Sequence, residues 1–454
     1  MNTFSIKEVS YMDFNDKRLN KRAEKILESF FENSTGSIPE ACETHTATMG
    51  TYRFLDNENV TSEKIFEGFN KATKERMTHE KEVIFISDAT SYVFTGRKTL
   101  NGIGVLRNFK ARGYIQHSTL VVSNEVPLGL IHQDLWGRKP EDYGKRKDRK
   151  KLPIEKKESF KWIKHMRISQ ASLKNDQHGI YICDRDADMF DLFAEERKLN
   201  FDLLIRSSHN RKIFGSDLKL QETLKKAPIM GNAEVLIKRS GDRKERVAIL
   251  ELKCQKVTLV SSKDSNLKIT LNVVEAKEKI SSSDIITNKP VLWRLFTTMP
   301  VNSLEDATTC VKLYNQRWLI ERFHYALKSG CKIEKLQLEE KDRMFTAIAM
   351  YCIVAWRIMT ICYSARYYPD KPASNFFSIE ELESLYCFYN KTNKPSSKIL
   401  SIKEATWMLA KLGGFLGRKS DGDPGMKVLW RGFRRLEGFV AAYMLFVKQE
   451  PRCV

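Results

Sequence analysis

The sequence lacks several features that would place it in a familiar class of protein. Its nine cysteines form no CxxC pair and show no regular spacing, which indicates reduced thiols in a cytosolic protein. Its eight histidines are scattered, so the sequence suggests neither a zinc finger nor a His-based zinc site. The N-terminus MNTFSIKEVSYMDF has no basic-then-apolar signal, and no internal repeat stands out. These absences argue against secreted disulfide-rich, zinc-finger and repeat proteins.

Long hydrophobic runs are also scarce, and acidic residues are outnumbered by basic ones. The longest apolar run, 345–363, contains Arg357 and follows a charged segment, so we expect a buried core helix and no membrane partner. Lys and Arg number 77 against 57 Asp and Glu, which leaves a formal net charge of +20. This excess suits a polyanionic partner because basic side chains displace counterions from nucleic acid. A ribosomal or membrane-surface protein would fit the charge nearly as well.

The most informative pattern is Tyr314-x2-Arg317-x3-Glu321-x6-Lys328. On a helix advancing about 100° per residue, the last three lie about 60°, 20° and 40° from Tyr314. One helical face would therefore carry a carboxylate flanked by an aromatic hydroxyl and two cations. A lone carboxylate among cations is usually a surface ion pair of little consequence. If other carboxylates converge on it, a divalent metal would hold them together while the cations bind phosphate.

Two other carboxylates are candidates for this convergence. Asp88 follows the apolar run 83–86, and Asp184 follows the apolar run 179–183. Each run is typical of a short buried strand that delivers an Asp to its C-terminal edge, where α/β folds place ligands. Taken singly, an Asp after a strand is more often a turn former or helix cap. The three acidic residues are too far apart in the sequence for a local metal loop, so only tertiary structure would join them.

These residues occur with several shorter segments that together resemble one known family. The chain resembles the bacterial insertion-sequence DDE transposases of the Y-R-E-K group, the transposon-five type, over nearly its whole length. The tyrosine-to-lysine pattern and its order after the two Asp motifs are highly specific, whereas the other segments are individually weak. Those segments are TYRFLDNENVT, SDATS, GLIHQDLW, CDRDAD, LLIRSSH, AKLGGF and LWRGF.

The resemblance implies a catalytic site. Asp88, Asp184 and Glu321 would be the catalytic, metal-binding triad of an RNase H-like α/β core interrupted by an antiparallel β subdomain. Hard oxygen ligands favour Mg²⁺, two ions per active site, with Mn²⁺ as a substitute. Within CDRDAD the family's ligand is the first Asp, so Asp184 is preferred and Asp188 is its rival.

The resemblance also implies DNA contacts. Tyr314, Arg317 and Lys328 would hold phosphates at the cleaved end, although Tyr325 stands where the family pattern has another Lys. Trp293 and Trp318 match positions whose rings meet an extruded base; the alternative for each is a place in the core. Residues with weaker support as backbone contacts are Arg206, His209, Arg211 and Lys212 after a strand, and Lys17, Arg18, Lys21 and Arg22 on an N-terminal helix.

We expect three domains. Residues 1–65 would form a helical DNA-end-binding domain. Residues 66–368 would form the RNase H-like catalytic core, with the inserted β subdomain at about 210–292, and residues 369–454 a mainly helical dimerisation domain. The Lys- and Arg-rich segment 137–161 would be a flexible connection that closes on DNA.

The expected function is cut-and-paste transposition by a cytoplasmic, nucleoid-associated bacterial protein. The enzyme would nick the element's end, form a DNA hairpin, reopen it and join the 3′ end to target DNA, acting as a homodimer on two double-stranded ends. Two alternatives stay open. One is an RNase H-like nuclease without strand transfer, and the other is a catalytically inactive DNA-binding inhibitor.

Overall fold

The fold is taken from a computed structural model of the chain. It describes residues 3–97, 99–106, 110–142, 152–237, 245–279 and 290–446. Part of the basic segment expected to close on DNA, residues 143–151, lies outside the described residues.

One large mixed sheet runs through the described residues. The neighbouring strands are ordered β2-β3-β1-β5-β6-β10-β9-β8-β7, and β4 also pairs with β3. The strands are β1 (Glu82–Val93), β2 (Gly104–Val105), β3 (Arg112–Ser123), β4 (Val126–Trp136), β5 (His178–Cys183), β6 (Phe201–Arg206), β7 (Ile229–Ile237), β8 (Arg246–Val260), β9 (Lys268–Glu278) and β10 (Leu292–Thr297).

Five of these strands, in the order β4-β3-β1-β5-β6, make up the core of the sheet. β3 lies antiparallel to both of its neighbours, β1 and β4, whereas β5 lies parallel to β1 and β6 parallel to β5. The central strand β1 is buried from Val83 to Ser87, as expected for a strand covered on both faces. This is the RNase H-like arrangement, so the predicted fold class is confirmed.

The predicted antiparallel interruption is present but is not a sheet of its own. β7, β8 and β9 form an antiparallel meander, and β10 pairs with β9 on one side and with β6 on the other. The interruption therefore extends the core sheet. It also contains one short helix, Leu220–Lys226, so it is not purely β.

Helices lie before, within and after the sheet. The N-terminal helix Lys17–Glu32 begins where the Asp16 side chain caps it by accepting a hydrogen bond from the Arg18 amide. The helices are α1 (Thr3–Val9), α2 (Lys17–Glu32), α3 (Ile38–Cys42), α4 (His45–Leu55), α5 (Ser62–Met77), α6 (Phe160–Ala171), α7 (Phe190–Phe193), α8 (Leu220–Lys226), α9 (Leu304–Asn315), α10 (Trp318–Tyr325), α11 (Lys341–Tyr367), α12 (Ile379–Asn390), α13 (Ile402–Leu412) and α14 (Met426–Phe446).

Helix α11 contains the longest apolar run and is the core helix of the protein. It is long and apolar enough to cross a membrane, but nearly all of its apolar window is buried inside the fold. Trp356 donates a hydrogen bond to the Pro127 carbonyl oxygen at 3.0 Å. The Arg357 guanidinium lies 3.6 Å from the centre of the Phe31 ring, which accounts for a cation inside an apolar helix. The prediction of a buried core helix is confirmed.

The sheet separates two apolar layers, and β1 contributes to both. Ile84 and Ile86 pack in the layer that contains α11, whereas Val83 and Phe85 pack in the layer that contains α6. Because strand side chains alternate between faces, Asp88 points to the α11 side. Ser87 points to the α6 side.

Candidate active site

Asp88 and Asp184 are neighbours where β5 ends, although Asp88 does not end its own strand as expected, because β1 continues to Val93. The last paired residues of the parallel strands β1 and β5 are Ser87 and Cys183, and one acidic residue follows each. Asp184 accepts a hydrogen bond from the Asp186 amide at 2.9 Å and so caps a short turn. Capping was the alternative role considered from the sequence, and it is compatible with a position next to Asp88.

The tyrosine-to-lysine pattern does not lie on one regular helix, and in this respect the expectation is wrong. Helix α9 ends at Asn315, α10 begins at Trp318, and a π-helical turn occupies Ala326–Gly330. The Arg317 amide donates to the Tyr314 carbonyl at 3.0 Å, a three-residue bond that tightens the chain between the two helices. A uniform angle of 100° per residue therefore does not describe this segment.

Arg317 nevertheless links Glu321 on α10 to Asp88 on β1. Its Nη1 donates to Asp88 Oδ2 at 3.3 Å, and its Nη2 pairs with Glu321 one helical turn further on. Glu321 keeps 43% of its side chain exposed, whereas Asp88 keeps 19%. The structure thus gathers the predicted Glu and the first predicted Asp around one guanidinium.

The carboxylates also act on one another electrostatically. Burial, followed by the negative charge of Asp184, raises the pKa of Asp88 to about 7, and Arg317 only partly offsets this. Burial likewise raises the pKa of Asp184. For Arg317 itself, burial acts to lower the pKa, but Tyr314, Glu321 and Asp88 outweigh it and the pKa is raised. The site therefore holds more negative charge than its arginine neutralises.

This excess of negative charge, together with the type of donor atoms, shows whether the residues fit a divalent metal. The oxygens of Asp88, Asp184 and Glu321 are hard donors, the type that Mg²⁺ and Mn²⁺ prefer. A cation between them would relieve the repulsion that raises the pKa of Asp88. The donor set and its electrostatics fit a divalent metal.

Asp188, the rival of Asp184, has a different role. Its Oδ2 accepts hydrogen bonds from the amides of Ser208 and His209 at 2.7 and 3.1 Å. Its Oδ1 accepts from Arg211 Nη2 at 2.7 Å, and none of its side chain is exposed. Both oxygens of Asp188 are occupied within the fold, which favours Asp184 as the metal ligand. The ion pair with Asp188 also occupies the Arg211 guanidinium, which was expected to contact phosphate.

Tyr314 and Trp293 lie together beside the carboxylates. Their ring centroids are 5.2 Å apart, edge to face, and Tyr314 is buried whereas Trp293 is half-buried. Burial raises the pKa of Tyr314, and the charges of Arg317 and Arg206 act against this rise. Arg206, on β6, also donates to the Leu292 carbonyl at 3.1 Å. The structure brings these predicted DNA contacts into one group.

Lys328 and Trp318 lie in other surroundings. Lys328 is half-buried in the π-helical turn, where its Nζ lies 5.9 Å from the centre of the Tyr92 ring and burial lowers its pKa. Trp318 packs at 6.1 Å from the ring of Tyr363 on the core helix. Trp318 and Trp293 are both half-buried and both pack against the same core cluster, so burial does not distinguish them.

The remaining predicted contacts lie at the surface. Lys17, Arg18 and Lys21 are exposed on the first turns of α2 and Arg22 is half-buried; Arg18 also pairs with its own helix cap. Lys212 is exposed in the loop after β6.

Sequence reasoning missed a second group of side chains. His132 and Asp134 on β4 lie beside His165 on α6, with their ligand atoms within 4.8 Å of one another. The signal was His132-x-Asp134, a spacing that puts both side chains on one face of a strand. Its partner lies on a helix about thirty residues further on, where no local spacing rule identifies it.

Three family models match the chain. They are transposase DNA-binding over residues 1–60, transposase DDE domain over residues 132–357, and transposase Tn5 dimerisation domain over residues 353–447. Asp184 and Glu321 fall within the DDE match, whereas Asp88 precedes it.

A solved structure is also similar in outline. It is a cryo-EM structure of piggyBac transposase in a synaptic complex with hairpin DNA, matched over 98% of this chain and 80% of that chain. Its identity is 9% and its TM-score 0.40, a level that carries no argument about this chain. The family models, by contrast, cover the N-terminal region, most of the core and the C-terminal region in the expected order. The chain belongs to the Tn5-type DDE transposases, enzymes that bind DNA, dimerise and use a divalent metal.

Proposed function

We propose that this transposase excises its element by metal-dependent cleavage through a hairpin intermediate and joins the freed 3′ end to target DNA. The observation that carries the proposal is the position of Asp88 next to Asp184 where β5 ends, with Arg317 bridging Asp88 and Glu321. One such site serves every step because each is phosphoryl transfer to an oxygen nucleophile.

The three carboxylates would hold the metal. Two Mg²⁺ ions, or Mn²⁺ in their place, would supply an activated oxygen nucleophile and stabilise the charge of the leaving oxygen. Asp88 is the most enclosed and most crowded ligand, which suits a position between two cations. Glu321 is the most exposed of the three carboxylates, so it would be the most accessible to a DNA strand.

The neighbouring cations and rings would position the DNA. Arg317 reaches the carboxylates and would bind the phosphate beside them, with Lys328 and Tyr314 completing the contact. Trp293 is half-buried against Tyr314, so one part of its ring stays available to stack on an extruded base. Such stacking is worth about 1–3 kcal/mol, enough to favour a tight hairpin bend.

The other regions would assemble the complex in the cytoplasm, on the nucleoid. Residues 1–65 would bind the element's end through Lys17, Arg18, Lys21 and Arg22, and residues 369–454 would form the homodimer. Each subunit would then cleave the end bound by its partner.

Incubation of the full-length protein with its own element ends and Mg²⁺ tests the proposal. Hairpinned ends followed by joining support it. Cleavage without joining would instead identify a nuclease, and a mobility shift without cleavage an inactive binder.

A matched pair of variants assigns the site. Glu321→Gln should reduce cleavage by about 100-fold or more while end binding changes little, since the amide cannot supply the carboxylate's charge. Glu305→Gln, at an exposed position on α9, should leave both unchanged. Loss of end binding in Glu321→Gln, with cleavage of bound DNA intact, would contradict the assigned role.

A further inference from the structure

A second set of metal-binding side chains lies on the opposite face of the sheet from Asp88. His132 and Asp134 on β4 are paired in register with Thr119 and His117 on β3. Those β3 side chains contact Ser87, which points away from the catalytic face. The cluster of His132, Asp134 and His165 is therefore separate from the carboxylate site.

Its geometry is close to that of a metal site. His165 Nε2 lies 3.2 Å from Asp134 Oδ2, and His132 Nε2 lies 3.4 Å from Asp134 Oδ1. Bonds of 2.0–2.1 Å in a tetrahedral zinc site place neighbouring donors about 3.3 Å apart. All three donors lie within 4.8 Å of one another, so a small rotation of the partly exposed His132 ring completes the set.

Two details indicate that the ligands are prepared for a cation. The His132 Nε2 atom is buried, and its contact with the Asp134 carboxylate at 3.4 Å does not meet hydrogen-bond geometry. The His165 Nδ1 atom hydrogen-bonds Thr119 Oγ1 at 2.7 Å, which directs Nε2 at Asp134 as an outer partner of a metal-bound histidine does.

One neighbouring side chain competes with a metal ion for Asp134. Lys164 Nζ lies 2.6 Å from Asp134 Oδ1 and balances its charge. This side chain is 41% exposed, so its ammonium group can move into solvent when a cation binds. Lys164 therefore weakens metal binding without blocking it.

We propose that His132, Asp134 and His165 bind one transition-metal ion of the Zn²⁺ class. Two imidazoles and a carboxylate suit Zn²⁺ or Co²⁺ better than Mg²⁺, which prefers oxygen ligands alone. The ion would tie β4 to α6, the two elements that flank residues 137–159 and the basic run within them. The site is structural and independent of the proposed cleavage chemistry.

Co²⁺ titration of the chelator-treated, full-length protein tests the proposal. The visible absorption of bound Co²⁺ reports ligand number and geometry, and Zn²⁺ should displace it. We expect one equivalent per chain in wild type and in Glu321→Gln, tighter binding in Lys164→Met, and loss in His132→Ala. His178→Ala removes a histidine of a simple His–Asp pair, 2.9 Å from Asp202, and should leave the titration unchanged.

Three results would overturn the proposal. The first is no saturable Co²⁺ absorption in either wild type or Lys164→Met. The second is binding that persists in both His132→Ala and Asp134→Asn. The third is binding lost in Glu321→Gln, which would place the ion at the carboxylate site. Circular dichroism of each variant distinguishes loss of the site from loss of folding, and DNA cleavage is scored separately.

Discussion

Replacing Asp88 by Asn should abolish DNA cleavage and, in the metal-free protein, raise stability. The wild-type carboxylate is enclosed beside Asp184, and its pKa is raised from 3.8 to about 7. A shift of one pKa unit corresponds to about 1.4 kcal/mol, so ionised Asp88 costs at most about 4 kcal/mol of folding free energy. The raised pKa already includes the attraction of Arg317, so the stability gained by asparagine should approach this limit of about 4 kcal/mol.

The gain should depend on pH with a defined sign. Because the folded-state pKa is raised, the carboxylate's cost is absent below about pH 4, where Asp88 is protonated in both states. The cost grows between about pH 4 and pH 7 and is constant above pH 7. The advantage of Asp88→Asn should therefore be small at pH 4.5 and full at pH 8.

Urea unfolding followed by fluorescence, in EDTA and then in Mg²⁺, measures this effect. In EDTA the variant's midpoint should exceed that of wild type at pH 8, and added Mg²⁺ should raise the midpoint of wild type alone. Asp176→Asn, at an exposed turn position, is the matched control and should leave the midpoint unchanged. An Asp88→Asn midpoint at or below that of wild type at pH 8 would refute the idea that the carboxylates repel one another.

Three other predictions concern DNA contacts and the core. Trp293→Ala should slow hairpin formation about tenfold or more and should slow the first nick less, as measured on labelled DNA ends. Equal slowing of the nick and of hairpin formation would indicate a packing role. The double change Lys17→Ala and Arg18→Ala should weaken end binding and lower its salt slope by about 2, and an unchanged slope would remove both from the contact surface. Arg211→Ala should lower the free energy of unfolding by about 3 kcal/mol or more, and with it the urea midpoint, since Asp188 is left buried without its charged partner. An unaltered midpoint there would show that the pair is not structural.

The sequence alone determined the local features of this protein. Apolar runs predicted the strand that ends before Asp184 and the buried part of the strand that contains Asp88, although that strand continues to Val93. The apolar run 345–363 predicted the core helix. These features depend on residues a few positions apart, whose periodicity and hydrogen bonding are local properties of the chain.

Tertiary structure decided which side chains meet. The parallel register of β1 and β5 places Asp88 beside Asp184. The tightened turn before α10 lets Arg317 link Glu321 to Asp88. In the sequence, Asp188 remained an alternative to Asp184 as the metal ligand. In the fold, the Asp188 side chain is fully buried, which favours Asp184.

The same limit hid the cluster of His132, Asp134 and His165. Its members come from a strand and a helix that approach only because both pack on β3. Approach between residues distant in the chain depends on sheet register and on how layers pack, and neither leaves a fixed spacing in the sequence.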